Sequence, residues 1–220
     1  MSVETISAAV ARQHDRIDDA MRRAEQAAPH GPAQAHAAYD AVVAELTRHL
    51  FAMEATVLTV AAHAKHGQDA ELRLQIDRLR DLEAVQLELD HVRDAQAATA
   101  LWGSLVTMMR WHRDAEDHIL AELDSRLDEK ARVQVVDQLN RAWLSSPTRP
   151  HPHAVRRLGF TRALYRVFGA WDHLLDVLDS RVIPQIPSQP KRADSKWDGY
   201  ILGRPPGTLE PVNLDETSGG

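Results

Sequence analysis

The sequence predicts an all-α protein: an antiparallel up-down four-helix bundle, followed by one or more C-terminal helices and a disordered tail. Residues 34–146 contain no proline, so long helices can form there, whereas the last 74 residues hold nine of the eleven prolines. Apolar side chains also recur every three to four residues over four long segments with short connections. This pattern is typical of amphipathic helices that pack in a bundle.

Each of the four segments has its own boundaries. The spacing of apolar residues predicts four helices. In chain order they cover residues 2–28, residues 32–67, a segment that starts at residue 69 and ends between residues 85 and 94, and residues 95–127. The motif PHGP ends the first segment. The residues predicted to form its buried stripe are Ala8, Val10, Ala11, Ile17 and Met21.

The chain is predicted to have three parts. Residues 1–147 form the bundle and a short helix at 129–144. Residues 148–183 hold a C-terminal helix, and residues 184–220 are rich in proline, glycine and polar residues, which is typical of a mostly disordered tail.

Composition excludes several classes of protein. A net charge of −6 does not indicate a nucleic-acid-binding protein. The absence of cysteine excludes disulfides, thiolate metal sites and cysteine nucleophiles. Without an apolar leader or a long uncharged run, we expect a cytoplasmic protein with no membrane span. No nucleophile elbow or phosphate-binding loop is present, so any enzymatic activity would have to come from metal-dependent redox chemistry.

Three of the twelve histidines are predicted to face the bundle interior. His14 lies three residues before Ile17, and His49 lies three after Leu46. His112 lies four after Met108 and four before an inward Glu116. Since each buried polar group without a partner costs roughly 1 to 3 kcal/mol, convergence on a metal ion or a polar network is the better account.

These residues resemble the ligand pattern of the hemerythrin-like (HHE cation-binding) family. His14 in ARQHDRID, His49 in RHLFAME and His112 with Glu116 in HRDAE follow the family order over residues 5–155. The resemblance implies a non-heme iron site and a small ligand such as oxygen, peroxide or nitric oxide.

Two positions depart from the family pattern. The glutamate expected four residues after the second-helix histidine is replaced by Met53, and Glu54 lies about 100° further round the helix. The third-helix histidine falls on Leu72, and Ile76 occupies its alternative position.

The resemblance therefore implies one metal rather than two. His14, His49 and Glu116 would hold the first iron, and Zn or Mn would also accept this set. Of the ligands of the second iron, only His112 and a shared Glu116 would remain. Side chains suggested to orient the imidazoles are Glu45, Asp114 and Asp117.

Two interpretations of function remain open from sequence. One is a hemerythrin-like metal protein that binds or senses a small oxidant; the other is a metal-free helical bundle that acts as a binding or regulatory module. Residues 155–178 and 196–204 combine apolar with basic or aromatic residues, and either segment could contact a protein partner.

Overall fold

The computed structural model describes residues 4–64, 70–92, 94–150 and 172, and every regular element within them is helical. The all-α class is thereby confirmed for this part of the chain. The predictions for residues 151–220 lie outside the described residues, apart from Asp172. The helices are α1 (Ile6–Ala27), α2 (Pro32–Ala52), α3 (Thr59–Ala64), α4 (Ala70–His91), α5 (Ala95–Arg126) and α6 (Glu129–Leu144).

The start of α1 is capped twice. Thr5 is the N-cap residue, and its hydroxyl accepts a hydrogen bond from the Ala8 N–H at 3.1 Å. Asp124, near the end of α5, accepts from the N–H groups of Ile6 and Ser7 at 2.8 and 3.0 Å. Because the first N–H groups of a helix have no partner within it, these carboxylate contacts join α1 to α5 as well as capping it.

The buried face of α1 differs in part from the predicted stripe. Val10, Ile17 and Met21 are buried, but Ala8 and Ala11 are exposed, so their placement on the stripe was wrong. Alanine is small enough to lie on either face and carries little directional information. The remaining buried positions of α1 are Ile6, Ala9, Gln13, Ala20 and Ala24.

Helix α2 is buried on every side from Asp40 onward. All residues from 40 to 58 are buried, and α2 packs against α1, α4 and α6. Its polar side chains therefore need partners within the protein. Thr47 donates to the side-chain oxygen of Gln86 on α4 at 2.9 Å, and Arg48 donates to Glu45 at 3.3 Å.

A six-residue π-helical segment, Met53–Leu58, joins α2 to α3. The Met53 N–H still donates to the His49 carbonyl, so the α-helical register holds as far as Met53. Beyond it, the hydroxyls of Thr56 and Thr59 donate to the carbonyls of Ala52 and Glu54. These bonds stabilise backbone groups that a regular α-helix would pair differently.

Helix α6 covers α2 and the π-helical segment. The chain then returns to the core: the Ser146 hydroxyl donates to the Arg48 carbonyl at 3.3 Å, and the Asp172 carboxylate accepts from the N–H groups of Thr148 and Arg149. Among the described residues, none of the helices has the length and apolar character needed to cross a bilayer. The buried residues of α6 are Val135, Val136, Leu139 and Trp143.

Candidate metal centre

The structure brings all four predicted ligands together. Helix α1 presents His14, α2 presents His49, and α5 presents His112 and Glu116 one turn apart. The Nε2 atom of His49 lies 3.3 Å from Nε2 of His14 and 3.1 Å from Nε2 of His112. The three imidazoles therefore direct the same ring nitrogen toward one region.

The Glu116 carboxylate completes the cluster. Its Oε2 lies 3.0 Å from Nε2 of His14, and its Oε1 lies 2.9 Å from Nε2 of His112. Oε1 is also 3.3 Å from Nε2 of His49. Each imidazole thus contacts the carboxylate, and the cluster contains three nitrogens and two oxygens.

The spacing of these atoms suits a bound cation. His14, His49 and Glu116 each offer an atom within 4.8 Å of the others and could hold a metal ion. A metal bonded at about 2.1 Å places neighbouring ligand atoms about 3.0 Å apart in an octahedron and about 3.4 Å apart in a tetrahedron. His112 lies outside that three-residue group but borders it, because its Nε2 is 3.1 Å from Nε2 of His49 and 2.9 Å from Oε1 of Glu116.

Burial separates one ligand from the other three. The side chain of His14 is 12% exposed, whereas those of His49, His112 and Glu116 are between 0% and 2% exposed. Solvent therefore contacts the cluster along the edge formed by α1. Beside this edge, Arg113 of α5 donates two hydrogen bonds to Asp18 of α1.

Burial and charge set the ionisation of the cluster. Burial lowers the pKa of His49 to about 4, although the Glu116 carboxylate acts in the opposite direction. Burial alone would raise the pKa of Glu116, but the charge that His112 and His49 can carry holds it well below its ordinary value. At neutral pH the site therefore combines a carboxylate with a neutral His49, the forms that bind metals.

Two buried polar atoms of the cluster lack well-aligned hydrogen bonds. Nδ1 of His112 has no hydrogen-bond partner among the described residues, and the Nε2 atoms of His112 and His49 lie close to Oε1 of Glu116 without making a well-aligned hydrogen bond to it. A carboxylate oxygen without a well-aligned donor costs free energy in a dry interior, whereas a cation among the three Nε2 atoms would satisfy it. The residues present therefore fit a metal ion.

A glutamine, which the sequence interpretation missed, contacts His49. The Nδ1 atom of His49 lies 3.0 Å from Oε1 of Gln13, and both side chains are buried. The residues suggested for this role do not fill it: Asp114 and Asp117 are exposed on α5, and Glu45 pairs with Arg48. Gln13 lies four residues before Ile17 on the buried face of α1, a spacing that could have identified it.

Met53 and Leu72 are both buried, but Met53 lies near the site and Leu72 does not. Met53 follows His49 by one α-helical turn. The bond between Thr47 and Gln86 sets which part of α4 lies level with His49, and Leu72 is fourteen residues from Gln86, about 21 Å along a helix. Leu72 therefore lies away from the site.

Comparisons with known proteins assign no family. No protein-family model matches the chain, and neither the curated proteins nor the solved structures gave a match. The candidate centre therefore rests on the geometry of its own residues.

Proposed function

We propose that this protein is a hemerythrin-like helical bundle that holds one non-heme metal ion between His14, His49, His112 and Glu116. The observation that carries the proposal is the convergence of three Nε2 atoms on a buried carboxylate whose Oε1 has no well-aligned hydrogen bond among the described residues. We propose iron as the metal, with Zn or Mn as alternatives, because imidazole and carboxylate ligands suit all three.

Contacts between helices support an antiparallel four-helix arrangement. Residue numbers fall along α5 as they rise along α1: Ile6 contacts Asp124, and Asp18 contacts Arg113. Along α2 and α5 the numbers rise together, since the ring of Tyr39 contacts that of Trp102 and His49 lies beside His112. This alternation is expected for an up-down bundle.

The ligand set favours one metal over two. All four side chains surround one region, and the position one turn after His49 is the fully buried, apolar Met53 rather than a bridging carboxylate. A second metal would lack a buried histidine on α4, where the described histidine is His91, which is exposed and contacts the carbonyl of Leu87.

The proposed ligand is a small oxidant: oxygen, peroxide or nitric oxide. A non-heme iron with open coordination positions supplies binding and electron transfer to such molecules. The protein contributes a dry environment, because three of the four side chains are almost fully buried, and access for a small molecule at the partly exposed His14. A small molecule suits this narrow edge.

Metal analysis of the purified protein tests the proposal. After reconstitution with Fe²⁺, Mn²⁺ or Zn²⁺, we expect about one equivalent of metal in the wild-type protein and much less in His49→Ala or Glu116→Ala. His118→Ala, an exposed histidine on the same helix as Glu116, is the matched control and should retain the metal. Less than a tenth of an equivalent in wild-type protein would overturn the proposal.

A metal-free regulatory or binding module is the second candidate. It is favoured by the apolar Met53, and by the contacts of 2.9 and 3.0 Å between Glu116 and the imidazoles of His112 and His14, which can hold the cluster together without a metal. In that case wild-type protein would fold stably without metal, and added Fe²⁺, Mn²⁺ or Zn²⁺ would leave its melting temperature unchanged. Stabilisation that depends on metal concentration would exclude this candidate.

A further inference from the structure

The contact between Gln13 and His49 joins two neighbouring helices in the core. Oε1 of Gln13 lies 3.0 Å from Nδ1 of His49, and Gln13 and His49 are 5% and 0% exposed. An amide oxygen can only accept a hydrogen bond. The Nδ1 atom of His49 therefore donates, and little water can compete for the bond.

This bond determines which tautomer His49 adopts. A neutral imidazole carries one N–H group, so a proton on Nδ1 leaves Nε2 with a free lone pair. That Nε2 atom lies 3.1 Å from His112 and 3.3 Å from His14. The lone pair therefore points into the candidate metal centre.

A second imidazole of the cluster is held differently. Nδ1 of His112 is buried and has no hydrogen-bond partner among the described residues. The orientation of His112 therefore depends on its contact with Glu116, whereas His49 is oriented from its far side by a residue of another helix.

We propose that Gln13 is a positioning residue, which holds His49 in the Nδ1–H tautomer and so prepares the Nε2 lone pair for a metal ion. The inference rests on the proposed metal-binding function. Metal-ligating histidines usually donate their other N–H to such an acceptor, which fixes the ring and raises its basicity.

Two substitutions separate the hydrogen bond from packing. Gln13→Leu removes the acceptor but keeps a side chain of similar size, and Gln13→Glu keeps an acceptor oxygen. Gln26→Leu makes the same change at an exposed position of α1 and serves as the matched control. Folding of each variant is checked by circular dichroism before binding is measured.

The first measurement is affinity for Zn²⁺ alone, by competition with a chelator. We expect Gln13→Leu to bind roughly 10- to 100-fold more weakly than wild type, and Gln13→Glu to bind at least as tightly as wild type. Wild-type affinity in Gln13→Leu would overturn the proposal. So would equal losses in Gln13→Leu and Gln13→Glu, because packing alone would explain them.

The second measurement identifies the tautomer in metal-free protein. Long-range ¹H–¹⁵N spectra distinguish an imidazole protonated on Nδ1 from one protonated on Nε2. We expect Nδ1–H for His49 in wild type and a mixture in Gln13→Leu; Nε2–H in wild type would overturn the inference. If the wild-type protein binds no metal, the proposed function fails, while this spectrum still decides the tautomer.

Discussion

His49 shows how burial and ligand chemistry combine at a single residue. Its side chain is fully buried, its Nδ1 faces Gln13 and its Nε2 faces His14 and His112. A charged imidazole here would lose its hydration without a full compensating charge, so burial lowers the pKa to about 4. The residue is thereby kept neutral in the pH range in which a metal ligand must be neutral.

The lowered pKa of His49 predicts acid destabilisation of the metal-free protein. Above pH 6.5, the ordinary value, both folded and unfolded states leave His49 neutral. Between pH 6.5 and about 4 only the unfolded state takes up the proton, so stability falls as pH falls. The loss is about 1.4 kcal/mol per pH unit, or roughly 3 kcal/mol over the window. Urea denaturation at several pH values measures it.

The matched variants for this measurement are His49→Gln and His118→Gln. His49→Gln should flatten the dependence between pH 6.5 and 4, whereas the exposed His118→Gln should retain it. Below pH 4.5 a further loss from Glu116 is expected in wild type, because the pKa of that carboxyl is lowered in the folded state. An unchanged slope in His49→Gln would contradict the assignment to His49.

At the residue scale, the sequence predicted the four side chains that meet but not their full surroundings. Spacings of three, four and seven residues identify which side chains face inward, and they placed His14, His49, His112 and Glu116 correctly. The same spacing indicates that Gln13 faces inward, but not that it contacts His49, because that contact depends on how α1 and α2 are rotated against each other.

Among the elements, α1 depends on α5 for its first turn. The Asp124 carboxylate accepts from two backbone N–H groups and from the Ser7 hydroxyl. Thr5 caps the same turn from a neighbouring position in the chain. An aspartate more than a hundred positions away gives no local signal. Such caps become visible only once the helices are placed.

Removal of this distant cap should destabilise the protein. We expect Asp124→Ala to lower the free energy of unfolding by about 1 to 2 kcal/mol, because α1 loses an acceptor for its first N–H groups and a negative charge near its N-terminus. Asp117→Ala, an exposed aspartate on α5, should change stability by less than about 0.5 kcal/mol. Equal effects in urea denaturation would contradict the capping role.

For the described part of the molecule, α6 belongs to the core rather than to an appendage. It packs against α2, the π-helical segment and α1, and Leu139 is fully buried. Its length and ends, Glu129–Leu144, match the predicted short helix. The surface that it covers was not predictable, since a short amphipathic helix can pack on any apolar face. Coverage by α6 explains why α2 has no exposed side from Asp40 onward.

Shortening a buried side chain of α6 should reveal how much this helix contributes to the stability of the protein. We expect Leu139→Ala to lower the free energy of unfolding by about 2 to 5 kcal/mol, because it leaves a cavity beside α2. Leu144→Ala removes the same atoms from a side chain that is 40% exposed, and should have a much smaller effect. Similar losses for the two variants, measured by thermal and urea denaturation, would show that α6 contributes little to the core.

The π-helical segment also limits how this chain can be aligned with others. Its hydrogen-bonded turns hold one residue more than α-helical turns. Counting in steps of three and four from His49 is valid as far as Met53, where the α-helical bond to the His49 carbonyl persists. After Met53 the same count names residues on a different side of the helix. An alignment that spans Met53–Leu58 therefore needs a one-residue gap against any uninterrupted α-helix.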